Sequence, residues 1–559
     1  MNNQLVFSDY LVFIMYILLV GSYGYWIYSK RKSKEHDSKG FFLAEGSLTW
    51  WAIGASLIAS NISAEQFIGM SGNGFFVGIA VSAYEWIAAL ALIIIAIWFI
   101  PIYLKNKIYT MPQFLKMRYN ETVAMIMAIL WLFIYVFVNL TSILYLGAVA
   151  ISGLLPSGSN VDYLHIVMIA LAVFAIFITL GGMKVIGFTD VIQVTVLIIG
   201  GLATSYMALD KVGDGQGVTH GFSTLLKLAP DHFHMIFNKP TASTSQEEIN
   251  KYLILPGILM YAAGQWIVNL NYWGCNQYIT QRALGADLNT ARNGLLFAAF
   301  LKMIMPIIVV LPGIAAYVLH TQGKLHVANM DGAYSAVLGF LPAGLKGLSI
   351  AALTAAIVAS LAGKLNSIST IYTLDIYKKY INKGADDQKM VKMGRVFALL
   401  ALVIAILFTW KDVLGISSAG GFTYIQKYTG FISPGVFAMF ILGMFWKRTT
   451  GAAAVVGVVT GLALCLFFNE YAPALFGNNT WLYTAYPNGK GGYEMPFLIA
   501  MGLSFFFTVV VMVAISLTGP KINPKAFALD PTMFRLKPQT IALIVTILLM
   551  LTALYIKFW

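Results

Sequence analysis

The apolar residues of this chain come in uninterrupted blocks of about 20 or more, the length a helix needs to cross the hydrocarbon core of a bilayer. Lipid offers a backbone no hydrogen-bond partners, so such blocks can span only as helices. Fourteen blocks read as spans, at about 9–29, 47–72, 75–103, 121–152, 161–180, 186–208, 253–280, 290–319, 341–378, 392–410, 418–445, 450–469, 494–518 and 538–557. Only 11% of the 559 residues are charged, against roughly 25% in a soluble domain. The fold class is therefore an all-α polytopic membrane protein. The first block has an acidic front and no small-residue cleavage site, and reads as a retained helix rather than a signal peptide.

The formal charge of +13 does not mark a nucleic-acid binder. With the N-terminus outside, most of the 36 Lys and Arg fall in inner connections such as "SKRKSK", "LKNKIYTMPQFLKMR" and "KKYINKGADDQKMVKMGR". That is the positive-inside pattern, and an even helix count then puts both termini outside. No P-loop, HExxH, GxSxG or Rossmann fingerprint occurs, so the chain shows no parts of an ATP-driven machine or a hydrolase and is read as no enzyme. Cys275 and Cys465 fall within predicted helices and read as small hydrophobes.

Two of the apolar blocks are interrupted by polar groups. "SLIASNISAEQFIG" sets Asn61, Ser63, Glu65 and Gln66 about 14 residues, or about 21 Å, into a span, where each unpaired group costs several kcal/mol. Ser63 with Gln66 three residues on matches a capping box, the signature of a starting helix. A helix that restarts in mid-membrane implies an unwound break just before it, near Ser60 to Ile62. "QWIVNLNYWGCNQY" repeats the pattern with Gln265, Asn269 and Asn271, about five helices later. Such amides can simply bond neighbouring helices, but two clusters at corresponding positions point to discontinuous helices meeting at a midplane binding site.

Further intramembrane groups fall at the same depth. Glu85 lies about 15 Å into its helix and Lys302 about 18 Å, and Gln426 sits in "TYIQKYTG". With Tyr84, Tyr135 and Tyr272 they describe a site for a neutral, hydroxyl-rich ligand, since amides and charged groups match a hydroxyl's donor and acceptor together. A purely structural Glu85–Lys302 ion pair is the competing reading.

"SLIASNISAEQFIGMSGNG", "AYEWIAALALII", "YVFVNLTSILYLG", "FTDVIQV", "NYWGCNQYITQR", "FAAFLK", "LPGIAAYV" and "FISPG" resemble the solute:sodium symporter family, and within it the bacterial sodium/galactose (sodium/glucose-type) symporters. The likeness runs from about Trp50 to Arg448. It implies a LeuT-type fold: an extra N-terminal helix and basic inner loop (1–46), a first inverted five-helix repeat (47–208), an outer loop (209–252), a second inverted repeat (253–445) and three C-terminal helices (446–559). It implies a secondary transporter of the plasma (inner) membrane that imports a galactose- or glucose-like sugar with sodium, a single chain sufficing. Sugar contacts are implied at Asn61, Gln66, Glu85, Asn269, Lys302 and Gln426, with Tyr272 as an inner gate stacked on the sugar. Met70, Tyr84 and Phe422 fall where the outer gate is expected. Ala88 stands where the bacterial galactose symporters carry a serine.

The resemblance implies sodium ligands at the carbonyls of Ala59, Ile62 and Ala356 and at two adjacent hydroxyls. Ser360 keeps one hydroxyl; the other position is Ala359, so a hard cation loses an oxygen. Ala362 and Gly363 replace further serines, and Lys364 follows. Two readings of Lys364 are open. Either its ammonium snorkels toward the cytoplasm, or it reaches back toward Ser360, pairs with Asp190 of "FTDVIQV" and stands in for sodium. The second reading gives the alternative function, a sodium-independent sugar carrier.

Overall fold

The computed structural model describes residues 5–31, 48–63, 65–152, 154–155, 162–327, 329–410 and 421–559. Along the chain, α1 (Phe7–Arg31) is followed by α2 (Trp50–Asn61), a π-helical turn (Glu65–Met70), α3 (Ser71–Val77) and α4 (Ala83–Ile94). Later come α5 (Gly182–Val212), α6 (Gly264–Gly274), α7 (Gln277–Leu284), α8 (Leu288–Val309) and α9 (Leu345–Thr370). Then follow α10 (Gly421–Gly430), α11 (Ser433–Phe445) and a short hairpin of β1 (Tyr486–Pro487) and β2 (Tyr493–Glu494).

Among the described residues, twelve helices are long and apolar enough to span a membrane. A thirteenth span is the pair Gln246–Ala262 and Gly264–Gly274, bent by 80°. The expected count of fourteen treats 47–72 and 75–103 as two spans. In the structure the first is divided: α2 has 12 residues, too few to cross by itself, and the helical turns from Glu65 run on to Lys105.

The chain divides into two compact units. The first comprises Met1–Ile79, Ala128–Phe233 and Gln277–Tyr424, and the second Ala80–Met127, His234–Asn276 and Ile425–Trp559.

In the first unit, α2 and α8 approach closely because small residues face each other, the usual device where helices pack without a hydrophobic driving force. A Cβ on Gly54 would stand 2.8 Å from the Gly294 carbonyl, and one on Gly294 2.7 Å from Ile53. Helix α5 lies on α9 through Gly200, whose added Cβ would meet Ala352 at 2.8 Å, and through a Thr204–Ser349 hydroxyl bond of 3.0 Å. Asp9 of α1 accepts from the backbone N–H of Gly344 (2.7 Å) and Gly347 (3.0 Å), which caps the start of α9. These contacts fix α9 against α1 and α5, and α2 against α8.

In the second unit, α6 packs on α4. The buried Arg118 guanidinium donates to the carbonyls of Gly443 (2.6 Å), Thr449 (3.0 Å) and Trp446 (3.0 Å). The Gly443 and Trp446 carbonyls are at the end of α11, where a cation also complements the helix dipole, and Thr449 lies in the turn that follows.

Candidate functional site

The site in the first unit is built around the break after α2. The helix ends at Asn61, Ile62 turns extended (φ −80°, ψ 109°), and its N–H still donates to the Ile58 carbonyl at 2.8 Å. Helical structure resumes at Glu65. The Gln66 side-chain oxygen accepts from the Ser63 N–H (3.0 Å) and hydroxyl (3.3 Å), and the Ser63 hydroxyl accepts from the Glu65 N–H (3.2 Å). Ser63 and Gln66 thus start the new helix, and the break lies at Ile62–Ser63, slightly later than the sequence suggests. Asn61 remains on the last turn of α2. The side-chain oxygen of Gln66, expected at the sugar, serves as a cap.

Terminating α2 orphans its last carbonyls. Helix α9 supplies a donor: the Ser360 hydroxyl lies 2.7 Å from the Ser60 carbonyl and 3.5 Å from that of Ile62. Ala59, Ala356 and Ala359 are fully buried. Of the oxygens expected around sodium, the structure places the Ile62 carbonyl and the Ser360 hydroxyl together, while the Ala359 side chain offers none.

One turn away lies a feature that sequence reasoning missed. The buried Arg282 of α7 donates through Nε to the Ser56 hydroxyl (2.8 Å) and through its terminal nitrogens to the Ser60 hydroxyl and the Tyr278 carbonyl. The Ser56 hydroxyl in turn donates to Asp190 at 2.5 Å, and the Arg282–Asp190 separation is 3.8 Å. Gly363 of α9 makes the room. A Cβ there would run into the Arg282 guanidinium and stand 3.2 Å from the Ser60 hydroxyl and 3.3 Å from the Tyr278 ring. Arg282 lies two residues beyond the predicted end of its span, and so counts in sequence as an ordinary inner-loop cation. The signal for its pocket is Ser56 and Ser60, four residues apart on one face of an apolar helix.

The expected pairing of Lys364 with Asp190 is therefore corrected. Asp190 is engaged by Ser56 and Arg282. Lys364 is 4% exposed, so it does not snorkel. Its ammonium lies over the Tyr278 ring, 5.0 Å from the centroid, a favourable cation–π geometry. The Arg282 guanidinium occupies the space beside Gly363, the residue before Lys364 on α9.

The other expected residues are placed as follows. In the first unit, Lys302 is buried on α8, packed against α2. The Tyr135 hydroxyl accepts from the Tyr278 N–H at 3.4 Å, which ties that ring to α7. Met70 and Phe422 are buried, and Phe422 closes on Gly69, where a Cβ would stand 3.0 Å from the Phe422 nitrogen. In the second unit, Tyr84, Glu85 and Ala88 are buried on α4, and Asn269 and Tyr272 lie on α6. The Asn269 amide donates to the Gln265 carbonyl (2.9 Å) and side chain (3.2 Å), and Asn271 bonds Ser433 (3.1 Å). Asn271 thus bonds a neighbouring helix, whereas Asn269 bonds back within its own helix. The second break falls at Ala263, and Cys275 caps the end of α6 rather than lying within a helix. Gln426 lies half-buried on α10.

The chain matches the sequence model of the Sodium:solute symporter family over residues 41–461. It is 41% identical to the sodium/glucose cotransporter of Vibrio parahaemolyticus, over 100% of this chain and 99% of that protein. To the sodium/myo-inositol cotransporter 2 of Homo sapiens it is 35% identical, over 82% of this chain and 69% of that one. A solved Na+-coupled sialic acid symporter in a substrate-bound, outward-open state shares the fold, with a TM-score of 0.75 and 21% identity over 93% of this chain and 99% of that chain.

Proposed function

The chain belongs to the sodium:solute symporter family, and from that premise we propose that it imports a neutral galactose- or glucose-like monosaccharide together with sodium by alternating access. Membership of a transporter family sets it apart from enzymes. The relatives' names, a sodium/glucose and a sodium/myo-inositol cotransporter, support a neutral polyol over a charged solute. The sugar contacts we assign are Asn61, Gln66, Tyr84, Glu85, Tyr135, Asn269, Tyr272, Lys302 and Gln426. Ala88, lacking a hydroxyl, shifts selectivity among hexoses by the loss of one polar contact. In the same reading, 47–208 and 253–445 are inverted five-helix repeats within fourteen spans. Both termini lie outside the plasma membrane, and one chain suffices.

The observation that carries the sodium coupling is the Ser360 hydroxyl bridging the carbonyls freed at the break, 2.7 Å from Ser60 and 3.5 Å from Ile62. Sodium held by the carbonyls of Ala59, Ile62 and Ala356 and by Ser360 would fasten the broken helix to α9 and preform the sugar site. Its release inward would loosen Tyr272. A tenfold gradient is worth about 1.4 kcal/mol and 100 mV about 2.3 kcal/mol per charge. One coupled sodium could then concentrate sugar several-hundred-fold, about 3.7 kcal/mol in all. The sodium-free alternative loses its basis, because Lys364 lies over the Tyr278 ring and Asp190 is engaged by Ser56 and Arg282.

The test is uptake of labelled galactose and glucose into proteoliposomes, with sodium replaced by potassium or choline. Uphill uptake that needs sodium is expected. Saturable uptake indifferent to sodium would overturn the coupling.

A further inference from the structure

The second unit carries an extramembrane cap that the transport reading does not use. Between the spans Gly451–Phe476 and Phe497–Leu517, the chain folds back on itself instead of forming a plain loop. Phe468, Ala472, Tyr483, Ala485, Met495 and Ala500 make a small apolar core, and the Tyr483 hydroxyl donates to the carbonyls of Ala472 (2.8 Å) and Gly477 (3.1 Å). The hairpin pairs Tyr486 with Glu494 and Pro487 with Tyr493. Its turn is fixed by Asn488, whose side chain accepts from the N–H of Lys490 (2.9 Å) and Gly492 (3.0 Å), and by Gly489 and Gly491 at φ 72° and 86°. Only glycine takes such angles without strain. Glu494 is thus held at the foot of a defined structure.

Two arms reach this hairpin. On one side, Lys427 of α10 is ion-paired with Glu494 (3.1 Å) and with Glu470 (3.3 Å). On the other, Gln246 donates to the Pro487 carbonyl at 2.9 Å, and Tyr252 packs edge-on against Tyr486 with centroids 5.3 Å apart. Gln246 and Tyr252 lie on the outer arm of the bent pair, which continues past Ala263 into α6 with Asn269 and Tyr272. Successive side chains on a helix are about 100° apart, so fixing Lys427 fixes the direction in which Gln426 points.

We propose that the 477–496 cap is a brace that sets the substrate-binding posture of α10 and of the bent pair together, with Lys427 as a positioning residue for Gln426. This rests on the reading of Gln426 as a sugar contact, and it adds a residue that acts without touching the sugar. Both natural cysteines are buried, so a cysteine introduced at 426 can be labelled selectively, with or without sugar.

The experiment has two readouts. First, the maleimide labelling rate of Gln426→Cys is compared alone and in combination with Lys427→Met, Lys427→Arg, or Glu470→Gln plus Glu494→Gln. A several-fold change with Lys427→Met and with the paired Gln variant, restored by Lys427→Arg, is expected; an unchanged rate overturns the brace. The paired Gln variant reads the same quantity should Lys427→Met fail to insert. Second, galactose uptake is measured for the same changes without the cysteine. KM should rise about three- to tenfold with Vmax within about twofold, and Lys427→Arg should stay near wild type. Wild-type KM in Lys427→Met beside a raised KM in Gln426→Ala overturns the brace alone. Wild-type KM in Gln426→Ala overturns the sugar contact, and the labelling rate still decides the brace.

Discussion

The buried Asp190–Arg282 pair gives the sharpest quantitative expectation. At 3.8 Å, and with an effective dielectric constant of about 20, the attraction is about 4 kcal/mol. The pair is supported by the Ser56 hydroxyl, which accepts from Arg282 (2.8 Å) and donates to Asp190 (2.5 Å). Removing one partner strands a charge in the bundle, a loss of about 3–5 kcal/mol, whereas apolar replacement of both is often close to neutral. Arg282→Leu and Asp190→Leu should therefore each destabilise by that amount, and the double variant by less than the sum of the two. At about 2.1 cal/mol/K per residue over 559 residues, the unfolding entropy is about 1.2 kcal/mol/K, so each single variant should lower Tm by ~3 °C. Thermal unfolding of the detergent-purified protein, followed by intrinsic fluorescence, measures this as a double-mutant cycle. Strictly additive shifts, or single variants as stable as wild type, would refute the pair as a structural unit. Gly363→Ala offers an independent check, because its methyl group would displace the guanidinium and should reproduce the Arg282 phenotype with both charges present.

Three further outcomes follow from the same geometry. Ser360→Ala removes the hydroxyl from the break, and the sodium concentration for half-maximal galactose uptake should rise about tenfold, near 1.4 kcal/mol; an unchanged sodium dependence would disconnect Ser360 from the ion. Lys364→Met removes a buried cation one turn along α9 from Ser360, so half-maximal sodium should fall; an unchanged or higher value would show that the ammonium does not oppose the ion. Asp287 caps α8, and hydrogen bonds from the Thr290 side chain and from the Thr290 and Asn289 N–H groups hold its carboxyl below the usual carboxylate value. A depressed folded-state pKa contributes stability above the unfolded value of about 3.9, and that contribution disappears as pH falls through the folded value. Asp287→Asn should therefore reduce the acid-side slope of Tm against pH, which a pH series of melts below about 5 tests.

The transmembrane segments, the broken helix after α2 and its capping residues were legible in sequence because each is a local matter. Hydropathy over about 20 residues decides a span, and Ser63 with Gln66 decides a helix start. The resemblance to the family also singled out Ser360 and Asp190, and Lys364 stood out beside them as a cation inside a span. Which of them meet was not legible. Lys364 and Arg282 are both cations within reach of the break, and nothing local says which one takes Asp190. Small residues decide it: Gly363 admits the guanidinium, and Ser56 and Ser60 supply its acceptors. Likewise, the sequence marks Gln66 and Asn269 as polar groups that cannot face lipid, yet only the folded chain shows that part of their hydrogen bonding goes to Ser63 and Gln265. Spans and caps follow from free energies summed along the chain, whereas partners among buried charges follow from distances between helices far apart in sequence, and those exist only once the helices have packed.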